Sequence, residues 1–265
     1  MSIREPKKRQ VAQLTRLIIN ADDLGESESV NREIFGLMEQ RLVTSATILA
    51  NAPAFEHAIA GLEKFPACSV GVHLNLTTHA PLTKDPGLEP LLDNQGCLTR
   101  NLFHVPVSTG LIRAACHELT CQVQRVKDTG IRVTHCDSHH HIHTIPWLLP
   151  VLKSVIGHFH ITRVRSTINL LPPGQRMAAL RGFRKGVFRL VMRYLADARC
   201  PEGLGDFRDF YAALQSGEVP RFKCIELMVH PGATTARYRD EITLLRSDWG
   251  SLLPADVELT TYETI

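Results

Sequence analysis

The chain alternates short apolar, β-branched runs with longer amphipathic stretches, and no other feature limits its fold as strongly. Arg16–Asn20 reads as a buried strand that ends in the loop Ala-Asp-Asp-Leu-Gly. Ser27 and Ser29 offer N-caps to a helix whose apolar face is Val30, Ile34, Leu37 and Met38. A strand follows at Thr44–Ala50, a helix from Pro53 to about Lys64, and a strand at Ser69–Asn75. Ile112, Ala115, Cys116, Leu119, Val123 and Val126 mark a long helix closed by Gly130. Further strands are expected at Ile131–Cys136, Ile161–Arg165, Lys223–Val229 and Val257–Tyr262, with helices at Gln175–Arg199 and near Asp240–Arg246. About seven mainly parallel strands with surrounding helices make this an α/β chain, either a barrel or doubly wound.

The 265 residues would be used up by one barrel domain, 1–265, since such barrels run to about 250 residues. Two segments stand outside the rhythm. Residues 1–14 are polar and basic and read as a flexible leader to the first strand. Residues 77–108, rich in Pro, Gly, Asn and Asp, read as a long insertion or lid loop. A hydrophobic content of 44% excludes a disordered chain, and a core of this size needs no disulfide or structural metal.

Several function classes fall away. The N-terminus lacks the apolar segment of a signal peptide, and the apolar run Ile145–Ile156 is short and broken by Pro146, Pro150 and Lys153, so no membrane span is expected. Seven scattered Cys without a C-x-x-C pair point to reduced thiols and a cytoplasmic setting. A net charge of +3 gives no basis for a nucleic-acid partner. The basic series Arg176, Arg181, Arg184, Lys185, Arg189, Arg193 and Arg199 alternates with apolar positions at helical spacing and reads as a solvated helix face. Nucleotide-binding glycine fingerprints are absent.

Open α/β sheets and barrels place ligands at the carboxyl ends of parallel strands. In this chain those ends carry Asp22 and Asp23, Asn51, His73, then Asp137, His139, His140, His141 and His143, Arg165, and finally His230. Neighbouring strand residues point opposite ways, so one carboxylate of the Asp pair can bind a metal while the other handles a proton. If Asp137–His143 is extended, Asp137, His139, His141 and His143 share one face and His140 takes the other. Two or three of them could reach a single ion, with His73 as a third ligand. Cys136, with no second Cys close in sequence, reads as a buried thiol.

Asn20-Ala-Asp-Asp-Leu-Gly, Val43-Thr-Ser, Gly71-Val-His-Leu-Asn-Leu, Thr134-His-Cys-Asp-Ser-His-His-His-Ile-His and His230-Pro-Gly occur in this order. Together they resemble the YdjC-like carbohydrate deacetylases, the group that includes the chitooligosaccharide deacetylases, from about Arg16 to the last strand. The resemblance implies a distorted (β/α) barrel related to the polysaccharide deacetylases. It implies one divalent metal ion, Mg2+ or Zn2+, held by Asp23, His73 and His139, with Asp22 as general base and His230 as general acid. Asp137, His141, His143, Arg165 and Asn51 are then expected to orient those residues or to bind the sugar. The implied partner is an acetylated amino sugar or short oligosaccharide, and a homodimer is expected on base rates. Leu24 stands where family members often have an aromatic residue, and Thr77-Thr-His-Ala-Pro81 replaces their Gly-containing turn. Another metal hydrolase, such as a phosphoesterase with a second ion, and a non-catalytic metal- or sugar-binding protein are the competing classes.

Overall fold

Strand β1 (Thr15–Leu24) is the hub of the sheet. Its residues Arg16–Ala21 pair in parallel with β6 (Cys224–Val229). Its other edge pairs with β7 (Val257–Leu259) at the start and with β2 (Ser45–Ile48) at the end. The seven-stranded sheet runs β4-β3-β2-β1-β6-β5, with β7 beside β1, where β3 is Ser69–Leu74, β4 Val133–Ser138 and β5 Gly203–Asp206. The computed structural model describes residues 15–170, 185–188, 190–192, 197–217, 223–233 and 235–265.

The two edges of this path are bridged. On one side, Cys136 N donates to Arg163 O (3.0 Å) and Arg165 N to Cys136 O (3.1 Å). On the other, Leu204 N donates to Ile168 O (2.7 Å) and Leu170 N to Leu204 O (2.6 Å). Hydrogen bonds thus run right round the sheet, and residues 161–170 close a barrel distorted at this seam. The strand expected at Ile161–Arg165 is reduced to isolated bridges, because its partners change within a few residues.

The barrel alternates with period two. Leu17, Ile19 and Ala21 of β1 belong to the large apolar cluster that packs on the helices. The intervening Ile18, Asn20 and Asp22 are fully or almost fully buried with other partners. Ile18 packs on Tyr262, Asn20 Nδ2 donates to Thr47 Oγ1 (3.1 Å), and Asp22 meets Arg165. Buried Ser45, Thr47, His73, His135, Asp137 and Glu226 come from the other strands. The interior is therefore a polar, hydrogen-bonded layer, where most barrels of this kind stack branched apolar side chains. Its floor is Tyr262, whose ring stacks on His135 at 3.6 Å. Gly71 makes room for that stack, since a Cβ there would come within 2.5 Å of His135 Nε2.

The outer layer includes α1 (Glu28–Glu39), α2 (Phe55–Leu62), α3 (Thr109–Asp128), α4 (Leu149–His158), α5 (Phe207–Ser216) and α6 (Ala236–Leu245). Ser27 caps α1 by accepting from Val30 N (3.2 Å). Helices α4 and α5 and strand β5 escape the periodicity reading. Pro146 and Pro150 begin helical turns rather than break one. Strand β5 is short and half glycine, and Asp206 ends it by capping α5.

Residues 77–108 are not structureless. They hold 3-10 turns at Pro86–Leu91 and Arg100–Phe103 and an antiparallel bridge between Leu92 and Leu98. Leu88, Leu91, Leu98 and Leu102 are buried. Buried Glu118 of α3 accepts from Leu82 N (3.0 Å), Thr83 N (2.8 Å) and Thr83 Oγ1 (2.8 Å), pinning the start of the segment. Residues 1–14 and most of the basic stretch 175–199 lie outside the described residues. Among the described residues, no helix is long and apolar enough to cross a membrane.

Candidate metal centre and active site

The site sits at the carboxyl ends of β1, β3 and β4. A bulge lies between Ala21 and Leu24 of β1, which pair with Ala46 and Ile48. Within it Asp23 adopts a left-handed φ of 65°. Simple alternation would have sent one carboxylate of the pair away from the barrel mouth. The bulge brings both to it, Asp22 deep and Asp23 partly open. Leu24 is fully buried in the apolar core, so the absence of an aromatic residue there leaves the site untouched.

Asp23 Oδ1 lies 3.3 Å from His73 Nε2 and 3.0 Å from His139 Nδ1. These three donor atoms fall within 4.8 Å of one another. His73 Nδ1 donates to Asp137 Oδ1 at 2.6 Å, which fixes the ring and leaves Nε2 turned towards Asp23. Thr47 Oγ1 donates to the second oxygen of Asp137 (3.1 Å). Two imidazole nitrogens and one carboxylate, with a carboxylate orienting one imidazole, is a donor set that fits a divalent ion with an open position. Without an ion, burial would push the His73 imidazole down, but Asp137 and Asp23 outweigh it and raise it to about 10. A metal there would displace that proton.

Below this triad, Arg165 is completely buried and is held by three carboxylates. Nη1 and Nη2 reach Asp22 Oδ2 and Oδ1 at 2.7 and 2.5 Å. Nη1 also lies 2.8 Å from Asp137 Oδ2. Nε and Nη2 donate to Glu226 Oε1 at 2.9 and 2.7 Å, and the Tyr262 hydroxyl donates to Glu226 Oε2 at 2.5 Å. Asn20 Nδ2 adds a bond to Asp22 Oδ1 (2.9 Å). Burial would raise the Asp22 carboxyl, but Arg165 overrides it and holds the group well below the usual carboxylate range. Asp22 is thus an anion at neutral pH. A second acidic cluster, Asp22, His73 and Asp137, is geometrically close enough for a metal, but the Arg165 guanidinium already supplies its cation.

His230 follows β6, its Nε2 3.8 Å from Asp22 Oδ2. The Pro231-Gly232 turn seats it against α1, where a Cβ on Gly232 would meet Val30 Cα at 3.0 Å. The histidine cluster departs from the extended expectation. Only Asp137 and Ser138 belong to β4, and His139–Thr144 turns away as a 3-10 segment with left-handed φ at His140 (51°) and His141 (53°). The four side chains therefore do not share a face. His139 enters the triad. His140 Nδ1 meets Thr77 Oγ1 (2.9 Å), and its Nε2 accepts from Arg100 (2.5 Å). His143 is buried against Ser138 Oγ, 2.5 Å from its Nδ1. Burial and Arg165 press His141 down to about 3, so it is a neutral ring beside the site.

Asn51 does not enter the triad or the Arg165 network. Its Nδ2 donates to Thr78 O (3.2 Å) and Ala80 O (3.1 Å), fastening the turn after β3. Glu226, Tyr262 and Glu241 escape the sequence reading. An acid inside the apolar run Cys224–Val229 was the available signal for Glu226.

The model of the YdjC-like protein family matches residues 16–254. The chain belongs to the YdjC-like family. Curated relatives include a carbohydrate deacetylase of Brevibacillus brevis, 35% identical over 55% of this chain and 57% of that protein. Another carbohydrate deacetylase, of Halalkalibacterium halodurans, is 37% identical over 61% and 68%. A chitooligosaccharide deacetylase of Salmonella paratyphi B is 38% identical over 51% and 53%. The chain thus aligns with between about half and two thirds of the length of these relatives. Among solved structures, an Enterococcus faecalis V583 protein named for cellobiose-phosphate cleavage superposes with a TM-score of 0.75 at 21% identity, covering 94% of this chain and 98% of its own. That likeness shows the YdjC-like chain to share its fold along nearly the whole length.

Proposed function

We propose that this YdjC-like chain is a metal-dependent deacetylase that removes N-acetyl groups from an amino sugar or short oligosaccharide. The observation that carries the reading is the open triad of Asp23, His73 and His139 set directly above an Asp22 locked as an anion by Arg165. The curated relatives, all named as deacetylases of carbohydrates or chitooligosaccharides, support the same class.

One divalent ion held by Asp23, His73 and His139 would make a bound water acidic and polarise the acetyl carbonyl. Asp22 takes the proton that water loses as its oxygen joins the carbonyl carbon. Arg165 and Asn20 keep the Asp22 carboxylate in one orientation throughout. His230 then gives its Nε2 proton to the amine nitrogen as the C–N bond breaks, leaving acetate and a free amine. Asp137 keeps the His73 ring aimed. His141, neutral and beside the pocket, offers a hydrogen bond to a sugar hydroxyl.

Zn2+ suits two nitrogens and one oxygen better than Mg2+, which favours more oxygen. The two-ion phosphoesterase reading is weaker, because Arg165 fills the place of a second cation. The deacetylase reading goes with an acetylated-sugar partner rather than nucleic acid, a cytoplasmic setting and a homodimer, the last to be read by light scattering. The decisive assay is acetate release from N-acetylated chitooligosaccharides, with and without chelator. Release that stops with chelator and returns with Zn2+ or Mg2+ supports the reading. No release from any such substrate with added metal overturns it.

A further inference from the structure

Among the described residues, four buried side-chain atoms lack any hydrogen-bond partner, and two of them, His230 Nδ1 and Glu241 Oε1, belong to side chains that meet. Glu241 projects from α6 and is completely buried. Its Oε2 accepts the backbone N–H of His230 at 2.8 Å and lies 3.7 Å from His230 Nδ1. A buried carboxylate is costly unless a cation meets it. The imidazole of His230, whose backbone N–H it already holds, is within reach. The opposite face of that ring is closed by Tyr238, stacked at 4.3 Å between centroids. The ring thus has one free edge, Nε2, and that edge faces Asp22.

We propose that Glu241 is a positioning residue for His230, accepting Nδ1–H so that the Nε2 proton is the one delivered to the departing amine. This rests on the deacetylase reading and adds to it the residue that fixes the tautomer and the charge of its acid. Closing the 3.7 Å gap by about half an ångström brings Nδ1 and Oε2 within hydrogen-bond distance. The groups facing His230 are Asp22 and Asp23 from β1, Glu241 and Tyr238 from α6, and His141 from the turn after β4. Burial would push the imidazole down, but Glu241 and the two aspartates outweigh it and raise it above its ordinary value. Removing the Glu241 charge therefore lets His230 lose its proton at lower pH.

The test is the pH profile of kcat for the metal-loaded protein. In Glu241→Gln the alkaline limb moves down by about one pH unit and kcat falls about tenfold at pH 8, while KM and metal content stay within twofold. Glu241→Asp, which keeps the charge, moves the limb less. His230→Asn removes the limb. A purely structural role for Glu241 would lower the melting temperature and leave the limb in place, and that result overturns the proposal. Full activity in His230→Asn overturns instead the assignment of His230 as the acid. If Glu241→Gln does not fold, 15N NMR of the wild-type protein decides. The neutral His230 ring carries its proton on Nδ1 if the proposal holds, and a neutral ring protonated on Nε2 overturns it.

Discussion

The floor and the rim of the site are built on opposite terms. On the floor, Arg165 binds Asp22, Asp137 and Glu226, and each of those acids has a further donor: Asn20, Thr47 or Tyr262. All four charged groups are at or near zero exposure. On the rim, His79, His140 and Arg100 are partly or fully exposed. His140 has one bond to Arg100 and one to Thr77, and His79 has one side-chain bond, to Glu26 (2.6 Å). His79, His140 and His141, with Asp23, also account for four of the seven described non-glycine residues with positive φ. Strained backbone therefore gathers where side chains face the mouth, a pattern typical of ligand-handling residues. The floor has one arrangement available to it, while the rim can be rewritten residue by residue.

This contrast can be broken in a graded way. Asp23→Ala or His73→Ala should abolish metal retention and lower kcat/KM by about three orders of magnitude or more, measured by metal analysis and acetate release. Asp22→Asn should keep the metal yet lose about 10²–10⁴ in kcat. If it keeps full activity, the base lies elsewhere. Arg165→Ala leaves three buried carboxylates without their cation and should cost about 3–5 kcal/mol of stability, read by urea denaturation. Arg100→Ala and His140→Ala, at the rim, should change KM by several-fold and leave stability within about 0.5 kcal/mol. A rim substitution as destabilising as Arg165→Ala would show that the two regions are not separate.

Much of this is legible in the sequence. Six of the seven described strands, and Asp22, Asp23, His73, His139 and His230 at or just past their ends, follow from apolar runs that stop at polar side chains, while Arg165 ends a run that forms only isolated bridges. The rest was hidden for physical reasons. The bulge at Asp22–Asp23 and the left-handed turns at His140 and His141 are tertiary choices that no periodicity announces. Strand β5 carries too little side chain to show a pattern. Glu226 and Tyr262 act in the barrel only because strands far apart in sequence turn their inner faces together. The polar interior itself looked, in one dimension, like interruptions in otherwise apolar strands.

The pairing of β1 with both β6 and β7 has a consequence for how the site comes into being. The first described strand is completed only by strands from the other end of the chain. Contacts that span such a separation form slowly, since the loop they close must be ordered first. Asp22 and Asp23 are synthesised long before the Glu226 that clamps Arg165 and the Tyr262 beneath it. A partly made or clipped chain would hold its aspartates and histidines without the frame that aims them. Competence at this site therefore waits on Glu226 and Tyr262.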